Sequence, residues 1–108
     1  MLNVLLTTSN LIKRQEFAHA YQSLSNVQKY LLWLIRIETY QTKHWESPTK
    51  SLEKDIDPYW YLLFQQTTSE LDPTDIKTAF KKTLTLTEKL FDNLGVEAKL
   101  KGVLRRIE

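Results

Sequence analysis

The chain has 108 residues, of which 42% are hydrophobic and 26% are charged, and its formal net charge is +2. This length fits one domain, and the composition is that of a folded globular protein rather than a disordered one. The absence of cysteine excludes a disulfide framework, a thiolate nucleophile and a cysteine-ligated zinc site.

The chain begins with an apolar run, Met1–Leu6. This run lacks the leading basic residues of a signal peptide, and polar residues end it early. No stretch approaches the roughly 20 apolar residues that cross a bilayer. We therefore expect a cytoplasmic protein that does not bind membranes.

Apolar residues recur at helical spacing nearly throughout, and only two glycines are present. We predict an all-α fold, a single-domain bundle of four to five helices over residues 1–108. The first helix starts at a polar cap near residues 9–10 and runs to about Gln22. The second runs over 25–41, because Ser25 and Gln28 have the spacing of a capping box. It is apolar over most of its circumference, with a narrow polar strip that includes Arg36.

Two Asp-Pro pairs punctuate the second half of the chain. Asp57-Pro58 and Asp72-Pro73 each place a capping aspartate before a proline at the first helical position. The helix after Asp72 has apolar residues spaced by four and three up to Leu94. Gly95 then suits a left-handed cap, and a final helix follows. Residues 42–57 are the least patterned segment.

The core is expected to come from apolar residues of the second and later helices. These residues are Leu31, Leu34, Ile35, Leu62, Leu63, Phe80, Leu84, Leu90, Phe91, Val103 and Leu104. Aromatic residues are expected mostly in the core or at a protein interface. Trp45 is the tryptophan that we expect to be most exposed, since it lies in the connector.

Residues with catalytic chemistry are sparse. His19 and His44 lack the spacing of a metal site, and the acidic group Glu53, Asp55 and Asp57 is better explained as a polar loop before a helix. No glycine-rich phosphate loop or nucleophile motif is present. We predict no enzymatic activity, cofactor, metal or small-molecule substrate.

The charge is unevenly distributed. Residues 1–37 carry +3, residues 38–75 carry −5 and residues 76–108 carry +4. Because the turn at Gly95 predicts antiparallel packing of the last two helices, their basic faces are expected to form one patch. The candidate contacts to a nucleic-acid backbone are Lys13, Arg14, Lys77, Lys81, Lys82, Lys99, Lys101, Arg105 and Arg106. The alternative is a solvated bundle exterior.

In size, helical pattern and basic ends, the whole chain resembles the small helical subunits of type I CRISPR effector complexes. The resemblance implies a non-enzymatic role in antiviral defence, with contacts to other protein subunits and to a DNA or RNA backbone. Some such subunits arise from an internal start in a larger gene, and the sequence MLNVLL suits that origin. The alternative is a protein-binding helical module without a nucleic-acid role, such as a phage-encoded inhibitor, an immunity protein or an adaptor.

Overall fold

The computed structural model describes residues 1–96 and 98–107, and every regular element in these ranges is a helix. The helices are α1 (Leu2–Lys13), α2 (Phe17–Glu38), α3 (Leu52–Asp55), α4 (Pro58–Gln65), α5 (Pro73–Asn93) and α6 (Ala98–Ile107). The all-α prediction is confirmed. The described helices number six, of which α3 is a single turn of four residues.

Four helices, α1, α2, α5 and α6, form a bundle. The short turn after α1 folds it back along α2. The long crossover between α2 and α5 brings the two helices together in parallel. Their ends lie side by side, since Asn93 Nδ2 of α5 donates to Glu38 Oε1 of α2. α6 returns antiparallel to α5, and Lys101 Nζ lies 2.8 Å from Asp92 Oδ1. α6 also contacts α1, which closes the bundle, and α3 and α4 lie in the crossover.

The start of the first helix differs from the prediction. α1 begins at Leu2, and the turn 14–16 separates it from α2, which begins at Phe17. Within this turn Gln15 adopts a left-handed conformation with φ of 62°. The sequence carries no glycine, proline or aspartate here, which is why periodicity alone merged the end of α1 with the start of α2.

The side chains that suggested helix starts, those of Ser9, Asn10 and Ser25, lie inside α1 and α2 instead. Thr8 and Ser23 share a buried hydrogen bond of 2.6 Å between α1 and α2, and Ser25 donates to the Tyr21 carbonyl at 3.2 Å. A hydroxyl that bonds to the backbone one turn earlier is tolerated in a helix interior. The predicted capping box at Ser25 was therefore wrong.

The helix starts at the Asp-Pro pairs are confirmed. Asp57 accepts hydrogen bonds from the backbone N–H groups of Tyr59 and Trp60, at 3.0 and 3.3 Å. Asp72 accepts from the N–H of Asp75 at 3.0 Å. These carboxylates satisfy donors that a helix start leaves unpaired.

Gly95 has a φ of 72°, as predicted for a left-handed position after α5. This residue turns the chain toward α6. The space around it is open among the described residues, since apart from its chain neighbours none of them has an atom within 4 Å of the position that a β-carbon would occupy. The backbone conformation alone would therefore strain any other side chain here.

The core contains most of the predicted residues. Those that are buried are Leu31, Ile35, Phe80, Leu84, Leu90, Phe91 and Leu104. Leu34, Leu63 and Val103 are half-buried, whereas Leu62 is 54% exposed and its assignment to the core was wrong. The reason is that α4 packs on the bundle through one side only, and the side that carries Leu62 faces away from it.

Arg36 was assigned to a polar strip of α2, yet its side chain is fully buried. The guanidinium donates to the carbonyl oxygens of Gln41, Pro48 and Lys50, and Nη1 lies 3.0 Å from Asp55 Oδ2. Asp55 also lies 2.7 Å from His44 Nδ1. A buried charge is tolerated when all its donors find acceptors. Arg36 therefore fixes the connector between α2 and α4 to the bundle.

Candidate functional site

A groove of about 250 Å³ opens where α1 ends, α5 begins and α6 ends. Its floor is mostly apolar and its rim is basic. The lining residues are Ser9, Ile12, Lys13, Lys77, Phe80, Lys81, Leu84 and Ile107. We call this site the lysine groove.

Helix lengths explain the lysine groove. α6 has ten residues and α5 has 21, and α6 packs back along α5 from the Gly95 turn. The shorter helix reaches Leu84, and among the described residues it leaves the seam between α1 and the first half of α5 open as a groove. Lys77 and Lys81 are one turn apart on α5 and therefore share a face. Lys13 reaches the same seam from the last turn of α1.

The three rim lysines differ in their pairing from Arg14, Lys101 and Arg105, each of which lies within ion-pair distance of a carboxylate. Within residues 1–96 and 98–107, Lys13, Lys77 and Lys81 form no ion pair. Lys77 Nζ lies 5.7 Å from the ring centroid of Phe17, a cation–π distance. The rim therefore presents positive charge to solvent over an apolar floor.

The remaining predicted cations are dispersed. Lys101 pairs with Asp92 on α5 at 2.8 Å, and Arg105 lies 3.3 Å from Glu88. Arg14 pairs with its neighbour Glu16 at 2.8 Å. Lys82, Lys99 and Arg106 are also exposed and do not line the lysine groove.

The cations predicted to form one basic patch thus divide into three that line the lysine groove and six that are dispersed elsewhere. Acidic residues of α5 face α6 and pair with its cations, which the sequence pattern did not show. Lys13, Lys77 and Lys81 converge instead on the lysine groove. That any of the nine cations contacts a phosphate stays a prediction.

A second surface is formed by α4. None of its eight residues is fully buried, although its sequence is PYWYLLFQ. Tyr59 is 48% exposed and Leu62 is 54% exposed, three residues apart on one face. Lys89 Nζ lies 5.3 Å from the Tyr59 ring centroid. We call Tyr59 and Leu62 the α4 stripe.

A third feature is a pair of stacked tryptophans. The rings of Trp33 and Trp45 lie 5.5 Å apart with an interplanar angle of 17°, and Trp33 Nε1 donates to the Trp45 carbonyl at 3.0 Å. Lys29 Nζ lies 4.9 Å from the Trp33 ring centroid. Trp45 is 39% exposed and the other two tryptophans are half-buried, so the predicted exposure of Trp45 is confirmed.

A neutral groove of about 270 Å³ runs between α1 and α2. Its lining residues are Asn3, Val4, Thr7, His19, Gln22, Ser23 and Asn26. No lysine, arginine, aspartate or glutamate side chain lines it. It provides an uncharged counterpart to the lysine groove on the same domain.

The acidic residues of the connector have protein partners. Asp57 caps α4, and Tyr61 Oη donates to Glu53 at 3.2 Å, which raises the pKa of Tyr61. The hydrogen bond from His44, followed by that from Arg36, lowers the pKa of Asp55. In the described part of the chain, no three His, Asp or Glu residues gather as metal ligands would. Nor does a described helix have the length and apolarity needed to span a bilayer.

These features define a small helical bundle with open surfaces and no recognisable set of catalytic side chains among its described residues. Residues 1–107 match the family described as lincosamide nucleotidyltransferase-like, C-terminal domain. Since the match covers nearly the whole chain, the chain belongs to this family. No curated protein matches it.

The family overturns the interpretation as a CRISPR effector subunit. That prediction, with its role in antiviral defence, was wrong. Its basis was size, helical content and terminal cations, which small helical bundles of many functions share. The alternative of an inhibitor, immunity protein or adaptor gains no support from the match. The expectation of no enzymatic activity stays a prediction for this chain, although the family that it belongs to is nucleotidyltransferase-like and the match is to its C-terminal domain.

Proposed function

We propose that this chain is the helical accessory domain of a nucleotidyltransferase-like protein and works with a catalytic domain that carries out the transfer. The observation that carries this proposal is the match of residues 1–107 to a C-terminal domain of that family. By the family description, the acceptor substrate would be a lincosamide or a compound of related chemistry.

The chemistry of nucleotidyl transfer supports a division of labour. Transfer from a nucleoside triphosphate uses divalent cations that bridge phosphate oxygens and are held by carboxylates. The described residues contain no group of three potential ligands, and Asp55 and Asp57 already bond to Arg36 and to the start of α4. Residues of a second domain would therefore hold the metal and the triphosphate.

The α4 stripe is the surface best suited to dock that domain. Tyr59 and Leu62 are large, about half exposed and neighbours on one face of α4. Aromatic and large aliphatic side chains are the usual anchors of protein interfaces. Burial of these two side chains against the catalytic domain would contribute favourably to docking.

The test is reconstitution from two separately expressed chains. The catalytic domain of a protein that carries this family's C-terminal domain is mixed with the present chain, a labelled nucleoside triphosphate, Mg²⁺ and a lincosamide. We expect transfer by the mixture and none by this chain alone. Association is measured by calorimetry, and Leu62→Asp should weaken it by about tenfold or more.

Leu71 provides the matched control. It is 64% exposed and lies outside α4, in the segment before α5. Leu71→Asp should leave the association within about twofold, since it changes charge and hydropathy equally but away from the stripe. Turnover by this chain alone, or equal weakening by both variants, would contradict the proposal.

A further inference from the structure

We infer that the lysine groove binds a phosphate monoester carried on a flat apolar body, with a nucleoside monophosphate as the ligand class. The choice of a nucleotide as the phosphate carrier rests on the proposed function, whereas the preference for a phosphate rests on the groove itself. None of its lining residues belongs to α4. Binding here is therefore separable from docking through the α4 stripe.

The charge of the rim favours phosphate. Lys13, Lys77 and Lys81 converge from two helices, and none forms an ion pair within the described ranges. A phosphate monoester carries about −1.5 to −2 charge at neutral pH and three acceptor oxygens, whereas a carboxylate carries one charge and two oxygens. Three ammonium groups on one rim match the phosphate better.

The floor favours an apolar body next to that phosphate. Phe80, Leu84 and Ile107 are each less than a tenth exposed, yet each contributes surface to the groove. A flat ring laid against them gains apolar contact, and the stems of the lysines cover its edges. The hydroxyl of Ser9 also lines the groove and offers a donor and an acceptor to polar atoms of the ring.

The size of the groove limits the ligand. Its volume of about 250 Å³ lies just below the range of about 300–1,000 Å³ typical of small-molecule sites. A nucleoside monophosphate suits this volume better than a dinucleotide. The neutral groove between α1 and α2 has a similar volume but lacks the lysine rim, so it should not bind AMP more tightly than adenosine.

The test is a titration of the intact chain with AMP, with amide chemical shifts as the readout. The largest shifts should fall on residues of α1, α5 and α6 that line the lysine groove. Adenosine and inorganic phosphate each lack one half of the ligand and should bind at least about tenfold more weakly. Affinity for AMP should fall as salt rises, since the contacts are partly exposed.

Lysine substitutions give the matched variants. Lys77→Gln together with Lys81→Gln should weaken AMP binding about tenfold or more, because charge-assisted hydrogen bonds are lost. Lys82→Gln together with Lys99→Gln removes the same charge from exposed positions outside the groove and should leave affinity within about twofold. All these side chains are exposed, and unchanged thermal unfolding should accompany both pairs.

Three outcomes would overturn the inference. The first is equal binding of adenosine and AMP, and the second is equal weakening by the two pairs of variants. The third is binding to phosphatidylserine vesicles without binding to AMP, which would assign the groove to a lipid headgroup. If AMP binds the lysine groove while reconstitution with a catalytic domain fails, the inference about phosphate binding is kept and the proposed function is rejected.

Discussion

Replacing Arg36 with methionine should release the connector between α2 and α4 from the bundle. The guanidinium makes five hydrogen bonds of 2.7–3.0 Å, four to carbonyl oxygens and one to Asp55. Methionine keeps much of the side-chain length but can donate none of these bonds. The acceptors on Gln41, Pro48 and Lys50 would then compete for water or stay unpaired.

The expected loss follows from that geometry. Removing one partner of a buried, hydrogen-bonded ion pair costs about 3–5 kcal/mol, because the other charge is left without compensation. Asp55 keeps its contact with His44 and is partly reachable by water, which places the expected loss at the lower end of that range. The free energy of unfolding of a domain is typically about 5–15 kcal/mol, so the expected loss is a large fraction of it.

The assay is urea unfolding followed by tryptophan fluorescence and by far-ultraviolet circular dichroism. Trp45 lies in the released connector and stacks on Trp33 of α2, so its fluorescence reports the connector. Arg36→Lys is the control: it keeps the charge but not the planar fork, and should recover part of the stability. A loss below about 1 kcal/mol for the methionine variant would refute this reading of Arg36.

Two further predictions concern the connector and the core. The folded-state pKa of Asp55 is lowered by His44 and Arg36, so its contribution to stability is present above the unfolded pKa of about 3.9 and disappears as pH falls through the folded value. Unfolding monitored from pH 6 to pH 2 should show this acid loss, and Asp55→Asn should flatten it; an unchanged profile would contradict the assignment. Phe80 is 7% exposed, and Phe80→Ala should cost about 3–5 kcal/mol in thermal or denaturant unfolding. A cost well under 1 kcal/mol would show that this ring is not part of the core.

Helix starts were predictable where the sequence carries a local capping signal. Asp57 and Asp72 each precede a proline, and both side chains cap the helix that follows. Gly95 was predictable for a similar reason, since a positive φ favours glycine. The boundary between α1 and α2 lacks such a signal, because Gln15 adopts its left-handed conformation without being a residue that favours it.

The surfaces were less predictable than the helices. The predicted contacts to a nucleic-acid backbone included Lys13, Lys77 and Lys81, but sequence spacing could not show that the end of α1 meets the start of α5. Nor could it show that Asp92 and Glu88 neutralise cations of α6. Such pairings depend on how helices pack, and that information is not contained in the periodicity of any one helix.

The parallel arrangement of α2 and α5 has a consequence for how the chain folds. Short connections join α1 to α2 and α5 to α6, so their contacts form locally, whereas α2 and α5 can meet only after a 34-residue connection, residues 39–72, has closed. Each halving of a flexible loop lowers the entropic cost of its closure by about 0.6 kcal/mol. Arg36 ties Pro48, Lys50 and Asp55 to α2, and so leaves about half of that connection free. We therefore expect Arg36 to speed folding, because it shortens the loop that must close before α2 meets α5. The methionine variant should refold more slowly, and its refolding rate measures that contribution.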